Sequence, residues 1–360
     1  MNRRTLNAKG LLALVTLLAS TLPAHAQLVD TVFSQYADRV DRSVERGLAY
    51  LAKSQRTDGS FGGTYGKSTG VVSLVGMAFL SKGYLPGNGK YGENVKRCID
   101  YVIASQKPDG LLVHDDSGHG PMYSHNISSL FLSEVSGMVD PVRQASLGGT
   151  LAKAMQLLLS AQAVPKSPRN RGGWRYRPDS TDSDLSCSGW AFMALKSARL
   201  NGARIPDAAI ESAVSYVLRN HDQTSGTFGY RDTLEHADTL TGCGILCLEL
   251  AGFHGAEHLR RAGERVLQSC KILPSKEHEF YANYYNAQAM FQLGGPFWDR
   301  YANWMYLTYL PRQTPDGAWV KALEGTNYGT VYTTAMTILS FTVPYRQLPI
   351  YQRDETVDEK

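Results

Sequence analysis

Groups that could move protons gather around one apolar segment, residues 122–135. Imidazole, carboxyl and phenol side chains are frequent general acids and bases in enzymes. If they share a cavity, His125 and Tyr123 could act as acid and base on a bound ligand. The alternative is a solvated turn followed by one histidine that faces the interior. The group comprises His114, Asp115, Asp116, His119, Tyr123 and His125.

A second group stands at the head of the apolar segment 240–252. It contains His236, Asp238, Cys243 and Cys247, and the two cysteines lie one helical turn apart on the same face. A zinc site of thiolates and imidazoles needs three or four such ligands converging tetrahedrally. Buried cysteines that act only as small apolar residues are the alternative.

Aromatic residues recur near the start of the apolar segments. Rings gathered around one cavity can hold an apolar or sugar ligand, or stabilise a cation through their faces. Packing of a large helical core would also use many of them. From this set and the second group we predict a ligand cavity formed by Trp190, His236, Asp238, Tyr281, Tyr284, Tyr285, Tyr328 and Tyr332. The further rings in similar places are Tyr123, Trp174, Tyr176, Phe228, Tyr230 and Trp319.

The elements that must position these groups are pairs of helices. Ser43 to Gln55 carries apolar residues at helical spacing with Arg and Lys on the other face, and a Gly-rich turn separates it from the apolar stretch Val71 to Leu80. The same pattern occurs six times. Gln55, Gln106 and Gln162 mark its period at 51 and 56 residues.

Six two-helix repeats of this length favour a closed ring. The amphipathic helix of each pair should face solvent and the apolar one should line the inside. We therefore predict an all-α fold, an (α/α)6 toroid, as a single domain over residues 27–345, with a frayed C-terminal tail over 346–360.

Three turns carry a family resemblance: Gln55-x-x-Asp58-Gly59-Ser60-Phe61, Gln106-x-x-Asp109-Gly110 and Gln313-x-x-Asp316-Gly317-Ala318-Trp319. They resemble the repeats of squalene and oxidosqualene cyclases, where the turn ties one hairpin to the next. The segments from Tyr281 to Met290 and from Val331 to Ala335 resemble a bacterial exported subgroup of the squalene cyclase and prenyltransferase superfamily. The resemblance implies the toroid fold and leaves the activity open.

This resemblance also implies one candidate acid. The cyclases carry an Asp-x-Asp-Asp motif before an inner helix, with one carboxyl kept protonated in an apolar cavity. Asp182-Ser183-Asp184-Leu185 stands in the matching place and puts Asp184 at the acid position, although Leu185 replaces the last Asp. Asp184 is equally a helix N-cap. The cyclases usually enclose their substrate between two helical domains, whereas this chain has room for one.

The resemblance to single-toroid protein prenyltransferases implies a zinc site built from Asp, Cys and His. Their Asp-x-Cys spacing is absent here, so His236, Asp238, Cys243 and Cys247 do not reproduce it. We therefore predict no metal and no other cofactor.

The first 26 residues read as a signal peptide. Arg3, Arg4 and Lys9 precede an apolar run that ends at Ala24-His25-Ala26, and this run is shorter than the roughly 20 residues of a membrane span. We expect an exported mature chain from Gln27, periplasmic or extracellular, without an integral membrane segment.

Removing this leader changes 37 basic against 33 acidic residues to 34 against 33. No basic block remains to follow a phosphate backbone, so we predict no nucleic-acid binding. The favoured function is binding of an apolar, isoprenoid or saccharide ligand, or of a protein partner, by the cavity or rim. The alternative is an enzyme of terpenoid-cyclase or polysaccharide-lyase type, with Asp184, His125 and Tyr123 as catalysts.

Overall fold

The structure, a computed structural model, describes residues 24–114, 120–321 and 329–352, with the backbone alone for 24–31. This part of the chain contains twelve α-helices, four short 3-10 helices and no β-strand. The α-helices are α1 (Ala24–Ser54), α2 (Thr69–Leu80), α3 (Gly92–Ala104), α4 (Met122–Val135), α5 (Pro141–Ala163), α6 (Leu185–Leu200), α7 (Asp207–Arg219), α8 (Ala237–Leu250), α9 (Glu257–Ser269), α10 (Glu279–Leu293), α11 (Gly295–Tyr309) and α12 (Thr330–Phe341).

Hydrophobicity separates an inner from an outer ring of helices. Every residue of α2 is buried, whereas α9, on the outside, buries only one stripe that includes Leu259 and Val266. The even-numbered helices are the apolar ones, and each packs against the next in the series, with α12 returning to α2. On the outside α1 packs against α11. The predicted all-α toroid of six hairpins is thus confirmed.

The repeated glutamines join neighbouring hairpins through one amide group. The Gln55 Nε2 donates to the carbonyl of Gly59 in its own turn and to that of Asn94 in the next outer helix, at 3.3 and 3.2 Å. Gln106 and Gln162 make the same pair of contacts in their repeats. Gln313 donates to Gly317 and to Ser43 of α1, which closes the last repeat onto the first.

The helical structure extends beyond the predicted domain bounds at both ends. Helix α1 begins at Ala24, upstream of the predicted first repeat at Ser43, and the signal-peptide prediction falls mostly outside the described residues. At the other end Leu348, Ile350 and Tyr351 are each about 1% exposed, so the packed structure continues to Gln352. The rest of the predicted tail lies outside the described residues.

All five cysteines lie in the described segments, where they are buried and form no disulfide. No helix of the described segments is long and apolar enough to cross a membrane.

Candidate functional site

The N-terminal ends of the inner helices surround a central cavity of about 340 Å³. Each of the six inner helices contributes to its wall from the first turns or from the residues just before them. Aromatic rings form much of that wall, interrupted by aliphatic side chains and a few hydroxyls. The aromatic lining residues are Tyr65, Tyr123, Tyr176, Trp190, Tyr230, Tyr281 and Tyr332 together with the rings of His236 and His278.

A packed aromatic cluster supports one side of the cavity. The indole of Trp190 stacks on the Tyr284 ring at 5.0 Å between centroids and meets Tyr285 edge-on at 5.3 Å. Tyr284 and Tyr285 are fully buried and do not line the cavity. These two predicted ligand contacts therefore lie one layer behind the wall, where they fix the orientation of Trp190.

Three side chains form a hydrogen-bonded chain from the interior to the cavity wall. Ser186 Oγ donates to Asp184 Oδ1 at 2.5 Å and lies 2.5 Å from the hydroxyl of Tyr123. Ser186 and Tyr123 line the cavity, whereas Asp184 is fully buried behind them. The structure thus connects Asp184 to the cavity through one serine hydroxyl and one phenol.

Burial controls the charge of Asp184. Desolvation raises the pKa of Asp184 to about 6. The hydrogen bonds from Ser186 and from the backbone amide of Cys187 act in the opposite direction, because they favour the ionised form. Arg175 Nη1 lies 3.6 Å from Asp184 Oδ2, and neither atom has a hydrogen-bond partner among the described residues. Asp184 is also the N-cap of α6, so the same residue caps a helix and connects to the cavity wall.

His125 occupies a position that the repeat uses structurally. Its Nδ1 accepts from the backbone amide of Leu112 at 3.1 Å, and its Nε2 lies 3.2 Å from the carbonyl of Ala154. Burial lowers its pKa to about 4, which keeps the ring neutral. In other repeats Ser188, Thr241 and Thr334 accept from the equivalent turn amides of Trp174, Phe228 and Trp319. His125 does not line the cavity.

The second predicted group divides between two places. Asp238 lies on the rim in an ion pair with Lys276 at 2.9 Å, while Cys243 and Cys247 are fully buried in α8. No group of three potential metal-binding side chains occurs in the part of the chain described. His236 lines the central cavity and a second pocket on the rim, which also contains Asp238.

The remaining predicted residues fall in different surroundings. Tyr281 and Tyr332 line the cavity. Tyr328 lies outside the described residues, as do Asp115, Asp116 and His119. Trp174 and Trp319 are buried in the repeat turns, each with Nε1 donating to an outer-helix carbonyl at 2.8 Å.

Sequence reasoning missed several wall residues, among them Tyr65, Ser186 and His278. Tyr65 and His278 lie in the segments before α2 and α10, and Ser186 is the second residue of α6. Position alone could have found them, because most wall residues lie in the first turns of an inner helix or in the few residues before it.

Together the fold and the cavity define a single α/α toroid with a ligand-sized, aromatic-lined interior. Solved structures of the type II terpene cyclase MstE from Scytonema have this fold: the apo form is 15% identical, with a TM-score of 0.54 over 86% of this chain and 100% of that one. A complex of an MstE variant with its product merosterolic acid A is 14% identical, with a TM-score of 0.53 over 84% and 96%. One with the substrate geranylgeranyl dihydroxybenzoate is 13% identical, with a TM-score of 0.51 over 86% and 98%.

The chain therefore shares the α/α toroid fold of these type II terpene cyclase structures. No protein-family model and no curated protein matches its sequence significantly.

Proposed function

We propose that this protein binds an apolar ligand of the isoprenoid class in the central cavity. The observation that carries the proposal is the wall itself, in which tyrosine, tryptophan and aliphatic side chains surround about 340 Å³. Ligand pockets for small molecules have volumes of roughly 300–1,000 Å³ and mostly apolar walls with few polar groups. An unsaturated hydrocarbon chain would lie against several ring faces there.

The solved neighbours support the same ligand class. An MstE variant, which has this fold, was solved in complex with geranylgeranyl dihydroxybenzoate, a substrate that carries an isoprenoid chain. Because the sequence identity is low, that likeness extends to the fold alone, and the aromatic wall of this chain carries the assignment of a ligand.

The chain of hydroxyls favours a second candidate function, acid catalysis on the bound ligand. When Asp184 is protonated, its proton can pass to Ser186 Oγ while Ser186 passes its own to the Tyr123 oxygen and the phenol donates to the ligand. When Asp184 is ionised, Ser186 Oγ donates to its carboxylate and the Tyr123 hydroxyl donates to Ser186. This cyclase-like reaction needs Asp184 and Tyr123 but not His125, and the position of His125 offers no support for saccharide-lyase chemistry.

Titration with farnesol, followed by quenching of tryptophan fluorescence, tests the proposed ligand class. Val71 lines the cavity on α2, and Val71→Trp would fill part of the space. We expect farnesol to bind the wild type and this variant to bind it at least about tenfold more weakly, a loss of about 1.4 kcal/mol. Val71→Phe is a milder second variant if the tryptophan prevents folding.

Val142→Trp is the matched control, because Val142 is 83% exposed on α5. It should bind farnesol like the wild type. Absence of farnesol binding to the folded wild type, or equal weakening by both tryptophan variants, would reject the cavity as the binding site. Mass spectrometry of lipid extracted from the purified protein would identify a natural ligand.

Acid catalysis has its own test. An activity screen with an isoprenoid substrate should show product with the wild type and none with Asp184→Asn, which cannot supply a carboxylic proton. Turnover by Asp184→Asn at the wild-type rate would remove this second candidate and leave ligand binding unaffected.

We also propose export of the mature chain, supported by the basic and apolar pattern of residues 1–26. N-terminal sequencing of protein from the periplasm or medium of an expressing bacterium should begin at Gln27. An intact N-terminus on protein that stays in the cytoplasm would contradict export.

A further inference from the structure

The second pocket adjoins the central cavity at one wall. It has a volume of about 390 Å³, and His236, Thr239 and His278 line both spaces. The His236 and His278 rings lie 6.4 Å apart between centroids. His236 also has a backbone φ of 53°, in the left-handed region that non-glycine residues seldom adopt. An unusual backbone conformation thus sets the position of a residue on the shared wall.

The linings of the two spaces differ in chemistry. Beyond the shared residues, the second pocket is lined by Leu234, Ala237, Asp238, Lys276 and Glu277. Carboxylates accept hydrogen bonds, an ammonium group donates them, and a histidine ring can do either. The pocket therefore offers acceptors and donors together, next to a cavity whose wall offers mainly rings and aliphatic groups.

Charge in this pocket is mixed. Asp238 pairs with Lys276 at 2.9 Å, and Glu277 lies beside that pair in sequence. The N-terminal ends of α8 and α10 face the same region and carry partial positive charge, which these acidic residues offset. A full anion would meet two carboxylates there, and a full cation would meet Lys276 and two helix N-terminal ends. An uncharged group with several hydroxyls can instead bond to every one of these side chains.

We propose that the second pocket binds an uncharged, polyhydroxylated head group of an amphiphile whose apolar chain occupies the central cavity. This inference rests on the proposed function of the cavity. It specifies the ligand as a molecule with two chemically different ends. Asp238 and Glu277 accept from its hydroxyls, and Lys276 donates to them.

A set of eight-carbon probes tests the head group while the tail is held constant. The probes are 1-octanol, n-octyl β-D-glucoside, octanoate and octyltrimethylammonium, all titrated below their micelle concentrations by calorimetry. We expect octyl glucoside to bind about tenfold more tightly than 1-octanol, which corresponds to one or two net hydrogen bonds. Octanoate and octyltrimethylammonium should gain nothing over 1-octanol.

The variants Asp238→Ala and Glu277→Ala test whether the second pocket causes the higher affinity for octyl glucoside. Both residues are exposed, so the fold should survive either change. Each variant should bind octyl glucoside about threefold to tenfold more weakly and leave 1-octanol binding unchanged. Glu257→Ala is the matched control, because Glu257 is an exposed acidic residue in the first turn of α9 on the outer ring, as Asp238 is in the first turn of α8.

The outcomes separate the two proposals. If 1-octanol binds but octyl glucoside shows no gain, or its gain persists in both pocket variants, the head-group site is refuted and the cavity proposal stands. A gain with octanoate or octyltrimethylammonium instead refutes the uncharged head group. If no probe binds while the protein is folded, the proposed function of the cavity fails as well.

Discussion

Asp184→Asn should raise the stability of the fold at neutral pH, because an uncharged amide replaces a buried carboxyl of the same shape. Burial raises the pKa of Asp184 from its ordinary 3.8 to about 6, so the native chain holds this proton more tightly than the unfolded chain does. Its stabilising contribution is complete below pH 3.8 and is lost as the pH rises through about 6. At about 1.4 kcal/mol per pH unit, the loss is about 3 kcal/mol.

Other buried groups titrate over the same range. Burial raises the pKa of Glu134 to about 7, so its contribution is likewise lost as the pH rises. The pKa of His125 is lowered to about 4, and the neutral ring contributes stability that is present above the ordinary 6.5 and lost as the pH falls through about 4. Because these effects oppose each other, the wild-type profile alone cannot assign any one of them. The difference between wild type and Asp184→Asn isolates Asp184.

Urea unfolding at about pH 4 and about pH 7.5 measures this difference. At the lower pH the two proteins should differ little, and at the higher pH the variant should be more stable by up to about 3 kcal/mol. An asparagine can still accept from the Cys187 amide, so the cap of α6 is retained. A variant that is less stable than wild type by the same amount at both pH values would refute the reasoning, because the carboxylate would then be a favourable cap with no burial penalty.

Three further predictions concern the framework, each measured by urea unfolding. Gly172→Ala should lower the unfolding free energy by about 2 kcal/mol or more, because φ is +90° and the new Cβ would lie 2.1 Å from a carbonyl oxygen of α7. Gly202 is the matched control, because its φ is +89° but a Cβ there would meet no other atom, so Gly202→Ala should lower the unfolding free energy by only about 1 kcal/mol. Gln313→Ala should cost about 1–3 kcal/mol by removing the bonds that close the ring, without changing farnesol affinity. His125→Ala should lower the unfolding free energy by about 2 kcal/mol or more and leave farnesol affinity within about twofold of wild type. A loss of farnesol affinity with unchanged stability would contradict the structural role of His125.

The fold could be predicted because its determinants are local and repeated. An amphipathic helix, a glutamine before a Gly-rich turn and an apolar helix are each visible in the sequence, and the glutamine amide does join consecutive hairpins. Closure of the ring follows from repeating one geometry six times. The contact that completes it, from Gln313 to Ser43, joins residues 270 positions apart and uses the same chemistry as its local equivalents.

The site could be predicted only in part, because which side chains face the cavity depends on the rotation of each helix. Successive residues of an α-helix point about 100° apart. On α10 that rotation places Tyr281 on the wall and Tyr284 and Tyr285 behind Trp190. The sequence shows three tyrosines near a helix head but not which of them meets a ligand. Tertiary packing decides the rotation.

Comparing the repeats separates polar residues that only hold the turns from those with a further contact. Ser188, Thr241 and Thr334 each accept from a turn amide, as His125 does, so the framework accounts for them. Asp184 has a framework role as well, but an asparagine would cap α6 without a charge to bury. The Asp184 Oδ1 that accepts from the Cys187 amide also accepts from Ser186 Oγ, which lies 2.5 Å from the hydroxyl of Tyr123 on the wall. An asparagine could keep both hydrogen bonds, so the only property that the carboxyl adds is a titratable proton, at a cost of about 3 kcal/mol at neutral pH. The proposed acid catalysis is the role that needs such a proton, whereas the stability of the ring does not.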